Sequence, residues 1–287
     1  ARFGDTVVST LYNGHPRAPR PLRPEEFGQI SLERSMAIYR ERFSSAQGLT
    51  FVIVGSFDKN AIKPLLATYL GSLPTPPITA AWQDVGLRPV KGVVKRAVYS
   101  GSEPKSTISL TFTGEAPFSE AEQMRLQALV EVLNIRIIEV LREQMSLIYG
   151  GSAGAQLGRI PYGNYTLAVT LPTGPDNVDK VLAATFAEFE RLKRDGPSAA
   201  DLAKVKQNWL QNFRKALREN GYWLGRIQSA LLDGTDPAAI LTHEERVNAL
   251  GALDVQDAAR RYLNTENYVQ VVLYPEKKAE AAKAPAD

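Results

Sequence analysis

The sequence predicts an α+β chain built from one and a half repeated units, each a mixed or antiparallel sheet with helices on one face. Three observations carry this reading. Strand candidates occur in two groups, 92–113 and 147–171, on either side of one long amphipathic helix. Further long helices follow, with a last apolar strand at Tyr268 to Leu273. The pattern Ser9-x-Leu11-x-Asn13-Gly14 also recurs as Ser229-x-Leu231-x-Asp233-Gly234, 220 residues later. At nearly the same offset, an acidic pair, a helix and an apolar strand follow in each copy: Glu25-Glu26, 32–43 and 49–54, then Glu244-Glu245, 253–263 and 268–273.

The elements follow in chain order. Phe3 to Leu11 reads as the tail of a helix or an apolar strand. Pro16, Pro19, Pro21 and Pro24 make 15–24 a loop. Ser31 caps a helix whose Leu32, Met36, Tyr39 and Phe43 share one face. Leu49 to Val54 reads as a strand buried on both faces, and Lys59 to Leu70 as a helix whose first turn is set by Pro64. Pro74, Pro76, Pro77 and Pro89 then mark a linker. The domain reading is residues 1–74 as the second half of a preceding unit, 75–91 as linker, 92–275 as a complete unit, and 276–287 as a disordered tail.

Within the complete unit, Ile108, Leu110 and Phe112 alternate with Ser109, Thr111 and Thr113, as in a half-buried strand. Ser119 caps the long helix, with Glu122 placed for a capping box. Behind them Leu126, Leu129, Val130, Leu133, Ile137 and Leu141 form one stripe on a helix of more than six turns. Stretches 147–156 and 164–171 read as a second strand pair turned at Pro161-Tyr162-Gly163. Gly174-Pro175-Asp176 opens the next helix, and Ser198 with Asp201 caps the one after.

Composition excludes several functions. The net charge of +3 over 287 residues, with no arginine-lysine cluster, gives no nucleic-acid footprint. No run of about 18 apolar residues exists to cross a membrane. With no cysteine there is neither a disulfide nor a thiolate metal site. The two histidines, His15 and His243, lack metal-ligand spacing, so this chain is expected to bind no zinc alone.

The chemistry-bearing residues cluster where the long helix ends. Arg142 lies at the end of the stripe, and Tyr149 follows seven residues on, directly before Gly150 and Gly151. A guanidinium fork and a phenol beside glycine backbone suit an anionic or carbonyl oxygen. The glycines also fit either a β-bulge or an extended peptide laid on a sheet edge. An arginine and a tyrosine that only pack or cap the helix are the alternative.

Several stretches, in this order, resemble the C-terminal half of the pitrilysin family of zinc peptidases, which includes insulin-degrading enzyme and the mitochondrial processing peptidases. They are Leu49-Thr50-Phe51-Val52-Ile53-Val54-Gly55, Tyr69-Leu70-Gly71-Ser72-Leu73-Pro74, Leu141-Arg142-Glu143 with Tyr149, Gly196-Pro197-Ser198, and Asn220-x-Tyr222-Trp223-Leu224. The resemblance extends to Pro275 and implies the repeated-unit fold. It also implies that Arg142 and Tyr149 contact a peptide or protein substrate and stabilise the intermediate. The family's HxxEH zinc motif is absent here. The resemblance therefore places the zinc in a missing N-terminal half or in a separate zinc-bearing subunit, which would be the partner of this chain.

Three functions stay open at this point. The chain is the non-metal half of a zinc endopeptidase, an inactive partner or scaffold of a two-chain peptidase, or an unrelated α+β binding protein. On the first reading the half-unit exposes an apolar face that another copy can meet by self-association, and the resemblance implies a bacterial periplasmic setting. Asn220, Tyr222 and Trp223 read foremost as packing.

Overall fold

The computed structural model describes residues 2–78 and 82–276. The helices are α1 (Arg2–Leu11), α2 (Pro24–Phe27), α3 (Leu32–Phe43), α4 (Lys59–Tyr69), α5 (Glu120–Arg136), α6 (Val178–Asp195), α7 (Ala199–Ala216), α8 (Asn220–Asp233), α9 (His243–Ala249) and α10 (Ala252–Tyr262). The strands are β1 (Val93–Tyr99), β2 (Ser106–Glu115), β3 (Ser152–Gly158), β4 (Asn164–Thr173) and β5 (Tyr268–Tyr274). They divide into two compact units, one of residues 2–20, 85–208 and 247–276, the other of 21–78, 82–84 and 209–246.

The first unit is built on a five-stranded mixed sheet in the order β1-β5-β2-β4-β3. Only β1 and β5 run parallel; the other pairs are antiparallel. β5 is inserted between β1 and β2, so the two strands joined by the 100–105 turn are not neighbours. Ile108, Leu110 and Phe112 of β2 and Leu167, Val169 and Leu171 of β4 are fully buried on one sheet face. Phe112 meets Phe189 of α6 edge-on at 5.6 Å and Tyr268 of β5 at 5.5 Å. Such aromatic pairs contribute roughly 0.5–1.5 kcal/mol each beyond the area they bury.

The expectation of helices on a single face needs correction. Val269, Val271 and Leu273 alternate with Tyr268 and therefore point to the opposite face. There Leu11, Phe3 and Val7 of α1 pack on them, together with Val94 and Val98. α1 thus covers the β1–β5 side of this face, because apolar residues on both faces of those strands need burial.

In the second unit, Ser31 caps α3 by accepting from the Arg34 N–H at 3.1 Å. α4 starts at Lys59 as read, where Asp58 caps it by accepting from Asn60 and Ala61 at 2.7 and 2.8 Å. Pro64 then lies inside the helix, where it removes one i→i−4 bond. The expected strand over 49–54 is not paired with any strand among the described residues. Leu49, Phe51 and Ile53 alternate and are 54, 48 and 44% exposed, unlike the buried Tyr268–Val272 run of β5. The repeated stretches therefore differ in setting at their strands, although Gly14 and Gly234 both follow helices in left-handed conformation. Residues 74–78, expected as the start of a linker, are clamped: Ser45 Oγ donates to Pro76 O at 2.7 Å, and Ala46 N–H to Pro74 O at 2.9 Å. Of the expected tail, 277–287 lie outside the described residues.

Candidate functional site

The long helix that delivers the site residues is built as expected at its start. Ser119 Oγ accepts from the Glu122 N–H at 3.1 Å. The reciprocal half of a capping box is absent because the Glu122 carboxylate is engaged elsewhere. It accepts from the buried Tyr262 hydroxyl at 2.6 Å and pairs with Arg261 at 2.8 Å and Arg125 at 3.4 Å. Arg125 also pairs with Asp254 at 3.0 Å, so α5 is tied to α10 at both carboxylates. Burial and the Glu122 carboxylate push the Tyr262 phenol well above its ordinary range. All six stripe residues, Leu126 to Leu141, are buried.

The helix is not α-helical to its end. From Ile137 to Gln144 it winds as a π-helix, a wider turn that often marks functional sites. Arg142 sits in this segment with an exposed side chain. Its carbonyl accepts from Ser146 N–H at 3.1 Å, and Leu147 N–H donates to Leu141 O at 2.8 Å. Ser146 adopts a left-handed φ of 51°, and with it the chain turns out of the helix toward the sheet.

Ile148 then joins the sheet through an isolated antiparallel bridge to Thr173. Tyr149 N–H donates to Pro172 O at 3.3 Å, while further on Ser152 pairs with Thr170. Gly150 and Gly151 therefore face Leu171 alone, two residues against one, which is a β-bulge. Gly151 is required by space: a Cβ there would lie 2.9 Å from Leu171 Cδ2 and 3.0 Å from Ile137 Cγ2. Gly150 has open space around it. The two glycines thus form the bulge, and Gly151 packs closely against Ile137 of the π-helix.

The outer edge of β3 is covered in part. Asn134 accepts from Ala153 N–H at 2.7 Å and donates to Ala153 O at 3.1 Å, and Gln127 donates to Ala155 O at 3.0 Å. These side-chain amides stand where an added strand would bond. The open surface is instead the sheet face that α1 leaves free. Tyr149, opposite Pro172 and Thr107, lies on it and is 70% exposed. Thr170, Ser152, Gly154 and Gln156 continue it, all exposed, with hydroxyls and an amide as the polar groups. In the turn before β2, exposed Glu103 and Lys105 form an ion pair with Nζ to Oε2 at 2.7 Å. Reading the sequence missed the threonines of β4, because alternating polar residues signal only a solvated face.

The remaining sequence candidates lie apart. Trp223 Nε1 donates to Leu217 O at 2.9 Å and Tyr222 meets Phe213 at 5.9 Å, so both pack the second unit. Asn220 opens α8. The two histidines belong to different units: His15 Nδ1 accepts from Arg17 N–H at 3.1 Å, and His243 meets Phe213 at 4.6 Å with the rings tilted by 41°. Burial first, then Arg246 and Arg226, lower the His243 pKa. Among the described residues no group of three or more His, Cys, Asp or Glu can hold a metal ion. The residues present thus do not fit a catalytic zinc.

Comparison with known proteins identifies the family and the fold. Residues 29–208 match the family described as the peptidase M16 inactive domain. The chain is 26% identical over 298 residues to a zinc protease PQQL-like protein of Arabidopsis thaliana, covering 94% of this chain and 31% of that protein. It is 26% identical to the probable zinc protease PqqL of Escherichia coli, covering 95% and 29%. The crystal structure of periplasmic PqqL from Escherichia coli superposes with a TM-score of 0.82 at 22% identity, over 96% of this chain and 30% of that one. A peptidase M16 inactive domain from Pseudomonas fluorescens gives 0.73 at 16% identity, over 97% and 65%. The chain spans about a third of the length of the PQQL-like and PqqL relatives. With more than half of its residues matched, the chain belongs to the M16 (pitrilysin) peptidase family, through the domain described as its inactive domain.

Proposed function

We propose that this chain is the non-metal part of a zinc endopeptidase, which grips a peptide substrate and stabilises the reaction intermediate. The observation that carries the reading is Tyr149: an exposed phenol at a β-bulge on an open polar sheet face, seven residues after an exposed Arg142 in a π-helical segment. Attack on a peptide carbonyl creates an anionic oxygen, and a phenol O–H donates to such an oxygen. A guanidinium binds carbonyl oxygens of the same chain. The substrate lies on the open face rather than along β3, where Asn134 and Gln127 stand at the edge.

On this reading the zinc is held by residues outside this chain, as in a protein of the length of the PqqL relatives, and the setting is extracytoplasmic like that of periplasmic PqqL. The exposed 49–53 side chains fit addition to a sheet carried by that other part, which would complete the unit to which residues 21–74 belong. The test is to assay peptide hydrolysis by this chain alone, by the zinc-bearing part alone, and by both together. The proposal expects turnover that requires both. Full activity of the zinc-bearing part alone would overturn it.

A further inference from the structure

Resting on the reading of Arg142 as a substrate-binding residue, we propose that Glu139, held by Lys204, is a positioning residue. It fixes the π-helical segment 137–144 and so sets where Arg142 stands. The contacts form one chain across the neighbouring helices. Lys204 of α7 donates to Glu139 Oε1 at 2.7 Å. Glu139 Oε2 lies 3.4 Å from Arg136 Nη1. Arg136 Nε in turn donates to Glu188 Oε2 of α6 at 3.0 Å, and Arg191 Nε donates to the same oxygen at 3.1 Å. Against the burial that would raise it, Arg136 and Arg191 hold the Glu188 carboxyl below its ordinary range.

The network spans the point where the winding changes. Arg136 is the last residue of α5, and Glu139 lies three residues on, inside the π-helical segment. Arg136 is thus tied to α6 and Glu139 to α7, one on each side of the junction. The α-turn is the default winding and the π-turn a rare one, so something must hold these eight residues out of it. Ile137 and Leu141 are buried, but four residues apart they share a face in either winding, so their burial does not choose between the two. A charged pair satisfied in one geometry does choose, and fixing a register is the best-attested use of a partly buried ion network. Each α-helical residue advances by about 100°, and a residue of the wider π-turn by less. Reversion would therefore swing Arg142, five residues past Ile137, by roughly a quarter turn.

Two readouts separate the clamp from the function it serves. In the 287-residue chain, the amides of Met145, Ser146 and Leu147 donate to Val140, Arg142 and Leu141 at 3.0, 3.1 and 2.8 Å, so their hydrogen exchange reports the winding. Lys204→Met is expected to speed exchange there about three- to tenfold and to leave Leu167 in β4 unchanged, and Lys204→Arg should keep the protection. The Lys204 side chain is 54% exposed, so neither variant should lose the fold. In the full-length peptidase, Lys204→Met should raise KM about two- to fivefold with kcat nearly unchanged, and Lys204→Arg should keep the ordinary KM. In an Arg142→Ala background, Lys204→Met should add nothing further to KM, because the two act through one side chain. A merely structural pair would lower the melting temperature and leave KM alone. Unchanged exchange, or an unchanged KM in Lys204→Met, overturns the proposal and leaves the functional reading intact. Faster exchange with an ordinary KM for Arg142→Ala would instead sink the reading of Arg142, and the positioning role of Glu139 with it.

Discussion

Tyr149 lies opposite Pro172, and the hydrogen bond between them runs one way only. Tyr149 N–H donates to Pro172 O at 3.3 Å, but proline has no N–H to return the bond to the Tyr149 carbonyl. A residue that would be paired twice in a regular antiparallel ladder is here paired once, next to a bulge. Residue 149 thus enters the sheet loosely, with its ring on the open face.

That looseness has a measurable consequence. Amide exchange at Tyr149 should be roughly 100-fold or more faster than at Leu167 in the centre of β4, because strand centres open only with the whole fold and bulged edges open locally. Equal protection at both amides would mean that the edge is as firm as the core.

The bulge makes the two glycines unequal. Gly151→Ala would push a Cβ against Leu171, Ile137 and the Thr170 carbonyl, at 2.9, 3.0 and 3.2 Å. Overpacking of this kind costs about 1–3 kcal/mol. Gly150→Ala meets open space and should change stability by less than about 0.5 kcal/mol. Urea unfolding of the two variants measures the difference, and equal losses would contradict the geometry.

Much of this was legible in the sequence, and the parts that were not share a cause. The stripe from Leu126 to Leu141 and the apolar positions Ile108, Leu110 and Phe112 record burial at fixed local periods and are buried as read, but β2 is not the half-buried strand expected, because Ser109, Thr111 and Thr113 are buried on its other face. The switch to a π-helix at Ile137 leaves the apolar spacing readable as one helix, so only coordinates reveal it. β5 lying between β1 and β2 is a long-range pairing, which no local pattern encodes. Leu49 to Val54 shows the converse: an apolar run states that a stretch suits burial in a sheet, not that a sheet is there to receive it. Asn134 and Gln127 read as helix polar residues, and their bonds to Ala153 and Ala155 emerge only once β3 is placed.

Alkaline pH should destabilise the first unit. Burial pushes Tyr165 up to about 12, and Tyr262 is raised as well by burial and by Glu122. An unfolded tyrosine ionises near pH 10, whereas these two stay neutral in the folded chain. Below about pH 10 both states keep the proton and stability is unaffected. Above it only the unfolded state gives up its proton, so stability falls toward pH 12. The urea midpoint measured from pH 8 to 11 should drop, and a Tyr165→Phe/Tyr262→Phe double variant should show a shallower slope. An unchanged slope would remove these phenols from the account.

Metal should not contribute to the stability of this chain. His15 accepts a backbone N–H and His243 packs against the Phe213 ring, in different units. A zinc site normally uses three or four converging ligands. After dialysis, the zinc content should be well below one per chain, and the thermal midpoint should be the same with and without chelator. Stoichiometric, tightly held zinc would overturn both the fit of the residues and the half-enzyme reading.

The prediction on which the function turns concerns Tyr149 and Arg142 in the full-length peptidase. Tyr149 is 70% exposed, so its ring is spared for contact with something outside the fold. Replacing it by phenylalanine keeps the ring and removes one donor. If that donor meets an oxygen whose charge develops in the transition state, kcat should fall roughly 10- to 1000-fold, about 1.4–4 kcal/mol. The melting temperature should stay within a degree or two, since an exposed hydroxyl contributes little to folding. Arg142 is exposed and forms no ion pair among the described residues, so it is not held as a helix-end salt bridge. Arg142→Ala should therefore raise KM at least as much as it lowers kcat, the pattern of lost substrate binding. The alternative, in which both residues only shape the bulge and the helix end, predicts lowered melting temperatures with ordinary kinetics. Steady-state rates and thermal melts of the two variants separate these outcomes, and normal rates in both would end the assignment of this face as the substrate site.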